Sequence, residues 1–189
     1  MKDSRAKGER FMGEVCYALS RWMRPELFRS ARKPPMRDLP FRIRSTALMP
    51  VEGHWLERGD IVSTPAMPWP FVVECKKQEG WELDGILQRQ SWEPWKWWEQ
   101  AKTQASAVCA RRQVNLYPLL VFARNRRPPM VLLDGEAAWN LRLEVHILRY
   151  SPASGAPLAI LSLSRLCGTP VRLVEELCAL PRGSSPERR

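Results

Sequence analysis

Apolar positions along the chain follow two different periods. Phe11, Met12, Val15, Cys16, Leu19, Trp22 and Met23 recur every three or four residues, which predicts an amphipathic helix from Lys7 to about Met23. Trp97, Ala101, Ala105 and Val108 form a second such stripe and predict a helix from Trp97 to about Arg112. Between them the period shortens to two. Phe71-Val72-Val73-Glu74-Cys75-Lys76-Lys77 is apolar on both faces at its start and charged at its end, as a central strand is when it crosses a core and emerges. Alternation puts Val72, Glu74 and Lys76 on one face and Phe71, Val73 and Cys75 on the other. Gly59 to Ser63 reads as a neighbouring strand, and the turn from Thr64 to Pro70 leads back, so the hairpin brings Asp60 beside Glu74.

The later chain repeats these signals more weakly. A first strand is predicted at Phe41 to Ser45, an apolar run at Leu116 to Ala123, a tip Arg124-Asn125-Arg126-Arg127-Pro128-Pro129, and a short strand at Met130 to Leu133. Asp134 is placed to cap a helix through about Leu143, with Glu136 in its first turn. Val145 to Tyr150 reads as a strand and Leu158 to Leu163 as an apolar run. Thr169-Pro170 introduces a short helix over Val171 to Leu180, and the polar tail from Pro181 has the composition of a disordered end.

Charge narrows the partners. Thirty basic residues against 20 acidic give a net charge of +10 and a pI near 9.9, which favours a polyanion, although membrane-surface proteins share that bias. The stretch 24–44 carries seven positive residues against Glu26 and Asp38, and its prolines prevent a continuous helix. It reads either as a solvated connection or as a DNA-backbone arm near the site. Five cysteines without a Cys-x-x-Cys pair and two histidines speak against zinc and suit reduced thiols. No run of about 18 apolar residues occurs, so a soluble, cytoplasmic protein is expected, with no membrane contact.

The passage Gln78 to Trp98 holds Trp81, Trp92, Trp95, Trp97 and Trp98. Long loops of this kind tend to be functional. Packing or dimerisation is the reading preferred for these tryptophans, and stacking on exposed bases is the alternative.

Two carboxylates and a lysine at the ends of paired strands suit metal-assisted attack on a phosphate. Hard cations take oxygen ligands and keep several waters, so one or two carboxylates and the substrate phosphate suffice. Taken alone, Glu74-x-Lys76 has a plain structural reading as an ion pair at a solvated strand end. Asp60 with Glu74-x-Lys76 resembles the PD-(D/E)XK nuclease superfamily, with Gly59 where the family has its leading proline. Glu14 stands among Arg10, Tyr17, Ala18 and Arg21 on the polar side of the first helix, where an ordinary ion pair is the plain reading. Gln100 and Gln104 lie one turn apart on the second helix. The order of helix Glu, strand Asp, strand Glu-x-Lys and helix Gln-Ala is similar to that of archaeal-type Holliday junction resolvases and their phage relatives, over about residues 7–123.

The resemblance implies an α/β, restriction-endonuclease-like core with a central mixed sheet flanked by helices. At 189 residues the chain reads as a single nuclease domain over 1–180, with 124–180, which has no counterpart in the resemblance, as an addition and 181–189 as a tail. The resemblance also implies a Mg²⁺-dependent endonuclease, with Mn²⁺ able to substitute, acting on four-way branched DNA as a homodimer. Asp60, Glu74 and the carbonyl of Cys75 would hold the metal with Glu14 as a further acid. Lys76 would orient or activate water, and Gln100 would help position Lys76 or the phosphate. Lys7, Arg10, Arg42, Arg44, Lys77, Arg124, Arg126 and Arg127 are the expected DNA contacts. The alternatives are a nuclease of the same superfamily acting on flaps, single strands or duplexes, and a DNA-binding protein with no activity.

Overall fold

A computed structural model describes residues 2–30, 32–44, 59–64, 66–82, 85–86, 93–112, 114–144, 146–148 and 157–180. Its centre is the predicted strand, β3 (Phe71–Lys77), buried from Phe71 through Cys75. Two short strands, β1 (Phe41–Ile43) and β2 (Ile61–Ser63), lie antiparallel beside it, with Ile61 opposite Val73. On its other side β4 (Tyr117–Ala123) runs parallel to β3, pairing Phe71 with Tyr117 through Lys77 with Ala123. A parallel neighbour requires a crossover, which α2 (Glu93–Arg112) supplies.

The sheet continues through β5 (Met130–Asp134), β6 (His146–Leu148) and β7 (Leu158–Ser162) in the order β1-β2-β3-β4-β5-β7-β6. This mixed seven-stranded sheet with flanking helices is the expected α/β architecture. Residues 130–162, read from sequence as part of an addition, extend the same sheet by three strands. Three short helices complete the fold: α3 (Gly135–Asn140), α4 (Leu163–Leu166) and α5 (Val171–Ala179). The predicted cap is present, with the Glu136 N–H donating to Asp134 Oδ1 at 2.9 Å. The helix ends three residues earlier than expected, where Arg142 adopts a φ of 52°.

Each face of the sheet has its own core, as alternation demands. One joins Phe11, Val15 and Leu19 of α1 (Lys2–Met23) to Phe71, Val73, Val121 and Val131. The other joins Trp81, Trp95, Trp97 and Trp98 to Leu120, Phe122, Leu132 and Ile160. Those four tryptophans are between 0 and 8 % exposed, so they pack the interior and are not free to stack on bases. Trp92 lies outside the described residues, as do Ser45 and the polar tail 181–189. Helix α2 starts at Glu93, four residues before the expected Trp97, and so absorbs part of what read as a loop.

Two contacts fix the direction of α1. Lys77 Nζ lies 5.7 Å from the centre of the Phe11 ring, at the end of β3. Trp22 meets Trp69, just before the start of β3, edge to face at 6.0 Å. The N-terminal half of α1 therefore lies at the end of the sheet where Glu74 and Lys76 emerge. Among the described residues no helix is long and apolar enough to cross a membrane.

Candidate active site

The candidate site forms where β2 begins and β3 ends. Gly59 turns the chain into β2 with a φ of +96°, a conformation closed to proline, and a Cβ there would stand 2.7 Å from the Val73 carbonyl oxygen. This explains why a glycine precedes the acid in this chain. Asp60 follows, tied to β3 twice. Its N–H donates to the Val73 carbonyl at 2.7 Å, and its Oδ2 accepts from the Cys75 N–H at 2.8 Å. The carboxylate thus lies along the β3 backbone at the junction of Glu74 and Cys75.

Glu74 is only 2 % exposed, which an ionised carboxylate tolerates only with partners. It has three. Lys76 Nζ lies 2.7 Å from Oε1, Gln100 Nε2 donates to the same oxygen at 2.7 Å, and Gln104 Nε2 donates to Oε2 at 3.0 Å. Burial raises the Glu74 pKa, the Lys76 hydrogen bond opposes that, and the nearby Asp60 charge raises it further. Cys75 points to the other face into the core, and burial pushes its thiol well above the ordinary range. Only its backbone carbonyl is suited to a hard cation.

Asp60, Glu74, Lys76 and Gln100 are thus brought together, and Gln104 joins them. Sequence reading singled out Gln100 alone, although the one-turn spacing of the two glutamines was the signal for both. Glu14 does not join them. It is exposed on α1, which covers the Cys75 face, and it lines a groove with Arg21, Pro128 and Ser164. Among the described residues no three His, Cys, Asp or Glu side chains form a metal-holding group, so the expected third acid is absent from that role.

The expected DNA contacts divide in a similar way. Lys7 and Arg10 are exposed on the N-terminal half of α1, and Arg44 is exposed beside Asp60, its N–H bonded to the Asp60 carbonyl at 2.9 Å. Arg126 and Arg127 are exposed at the β4–β5 turn, at the same end of the sheet. Lys77 lies over Phe11 on the face opposite Lys76. Arg42 turns back to the Arg37 carbonyl at 3.0 Å. Arg124 is a correction. Its guanidinium bonds the Trp81 carbonyl and the Glu82 carboxylate and lies 5.7 Å from the Trp81 ring, so it clasps the loop after β3 to the β4–β5 turn.

A family model described as Phage putative PDDEXK endonuclease matches residues 3–151. The chain belongs to that family. Membership makes it a nuclease of the PD-(D/E)XK superfamily with DNA as its substrate. The matched span runs from α1 past β6 and contains every residue gathered at the site. Strand β7 and helices α4 and α5 lie beyond the match to the endonuclease family, although β7 is paired along its length with β5. No curated protein and no solved structure matches the chain.

Proposed function

We propose that this PDDEXK endonuclease hydrolyses DNA phosphodiesters with a divalent cation, Mg²⁺ or in its place Mn²⁺, held by Asp60 and Glu74, and that its substrate is four-way branched DNA. The observation that carries the hydrolytic reading is the position of Asp60 on the β3 backbone beside Glu74, with Lys76 bonded to Glu74.

The residues fit such an ion. The donors on offer are two carboxylates and the Cys75 carbonyl, all oxygen, and Mg²⁺ keeps waters and takes substrate phosphate for the rest. Asp60 already raises the proton affinity of Glu74 by repulsion, which a cation between them would relieve. Bound there, the metal would supply Lewis acidity to the phosphoryl oxygens and lower the pKa of a bound water.

The chain's own groups do the remainder. Lys76 brings an ammonium to the reaction centre, where it offsets charge developing on the phosphoryl oxygens and orients the attacking water. Gln100 and Gln104 hold both oxygens of Glu74, so the carboxylate does not swing away when Lys76 engages the substrate. Water adds to phosphorus as the bond to the leaving sugar oxygen breaks, and that oxygen takes up a proton.

The four-way junction is supported by sequence order, the Asp60 and Glu74-x-Lys76 strands followed by the Gln100 helix. A resolvase must cut two strands symmetrically, which calls for a homodimer with both sites on one basic surface. The test offers junction, flap, duplex and single-stranded DNA with and without Mg²⁺, to the wild type and to Lys76→Ala. Paired symmetric nicks confined to the junction are expected from the wild type. Cutting of the other substrates at equal rate would replace the resolvase with a general nuclease, and equal cutting by the variant would remove Lys76 from the chemistry.

A further inference from the structure

A second basic feature lies on the outer side of α1, apart from the Glu74 centre. Tyr17, Arg21, Phe28, Ser30, Arg32 and Lys33 line a cavity of about 350 Å³. Tyr17 donates its hydroxyl to the Pro34 carbonyl at 2.9 Å, which fixes the following basic loop against the helix. The two rings meet edge to face at 6.4 Å and form a floor beneath the cations. Lys33 Nζ lies 3.5 Å from the Tyr17 ring centre and the Arg21 guanidinium 5.4 Å from that of Phe28. Cations held over ring faces are oriented without being neutralised. Among the described residues no acid lines the cavity, and Glu26, close by in sequence, is paired with Arg24.

The charge and shape suit an anion that carries several phosphates. Because the ring faces are already covered by Lys33 and Arg21, the recognition falls on phosphate and not on bases. The placement says which phosphates. The N-terminal half of α1 lies at the site end of β3, and from Arg10 to Arg21 the helix rises about 17 Å, at about 1.5 Å per residue. The cavity therefore faces DNA that lies past the N-terminal half of α1, away from Asp60 and Glu74.

We infer that this cavity is a phosphate-binding site for the backbone of a DNA arm that extends past α1, away from the scissile phosphate. The inference rests on the nuclease reading for its substrate. It also places Ser30, Arg32 and Lys33 at a remote arm and not beside Asp60.

Binding is measured in EDTA, so the nuclease reading can fail, through absence of Mg²⁺-dependent cleavage, without affecting this test. A short duplex is compared with one extended by about ten base pairs, or about 34 Å at about 3.4 Å per pair. Extension is expected to tighten wild-type binding about tenfold. The double variant Arg32→Gln, Lys33→Gln should lose that gain and lower the slope of log K against log salt by about two, near 0.9 per phosphate contact. Arg21→Gln is the second variant, and thermal melting of both at the wild-type temperature establishes folding. An unchanged gain and slope in the folded variants would overturn the site. Inorganic triphosphate is the competing arm of the experiment: if it binds wild type and not the variants while the extension gain persists in all, the assignment to DNA falls.

Discussion

The backbone N–H of Cys75 donates to Asp60 Oδ2 at 2.8 Å, so the first acid of the site is anchored to the strand that carries the second. This separates the acid's structural role from its chemical one. Asp60→Asn keeps an oxygen acceptor for that N–H and should melt near the wild-type temperature while losing roughly 100-fold or more in cleavage, the scale of losing one charge-stabilising group. Asp60→Ala removes the acceptor as well and should cost about 1 kcal/mol in addition. Melting and cleavage rates of the two variants side by side check this, and wild-type cleavage by Asp60→Asn would exclude it as a ligand.

Glu74 is buried beside like charge, and its neighbours are prepared for a neutral replacement. Gln104 Oε1 is buried without a partner among the described residues, so a 180° turn of that amide would let it accept from a glutamine at position 74. Glu74→Gln should therefore melt at or above the wild-type temperature at pH 7 and lose cleavage. A strong loss of stability would show that the ionised form is needed by the fold.

The same burial sets the pH response. Glu74 binds its proton more tightly folded than unfolded, because burial, and after it Asp60, raise its pKa. Its contribution to stability is thus present at low pH and lost as pH rises through the raised value. Once Glu74 is ionised, its charge beside Asp60 is a liability that a divalent cation would remove. Added Mg²⁺ should raise the melting temperature, by less as pH falls, and not at all in Asp60→Asn. Cleavage should decline on the acid side at a pH above that of an ordinary glutamate. A melting temperature indifferent to Mg²⁺ at every pH would argue against the ion.

Gly59 is the backbone counterpart of these side chains. An added Cβ would meet the Val73 carbonyl at 2.7 Å in a positive-φ conformation. Gly59→Ala should cost about 1–3 kcal/mol, or roughly 2–4 °C in melting temperature per kcal/mol. Cleavage should fall further than stability, since the strained turn leads directly into Asp60. Wild-type values for both would mean that the turn relaxes freely.

Sequence periodicity was enough for the strand pair and for which face Glu74 and Lys76 share, because a period of two leaves no choice once one face is apolar. It also places Asp60 beside Glu74, since a hairpin has few registers. Glu14 was misplaced for a definite reason: helical periodicity says which side of α1 is buried, not which face of the sheet α1 covers. Arg124 misled in another way, because composition does not distinguish an arginine in solvent from one bonded to Trp81 and Glu82. The tryptophans were ambiguous on the same ground, as the residues that fill a core also stack on bases. The three strands after Met130 read as an addition because their long-range pairing leaves no mark on local pattern.

The parallel pairing of Phe71 with Tyr117 joins positions far apart in the chain, and α2 lies between them. Local contacts form early in folding, and such distant ones form late. Glu74 comes from one side of this crossover and Gln100 and Gln104 from within it. A ribosome-bound fragment that ends before α2 therefore has Asp60, Glu74 and Lys76 but not the amides that hold the second acid in place. The buried carboxylate therefore gains its two amide clamps only once the chain through α2 has been made and has docked on the sheet.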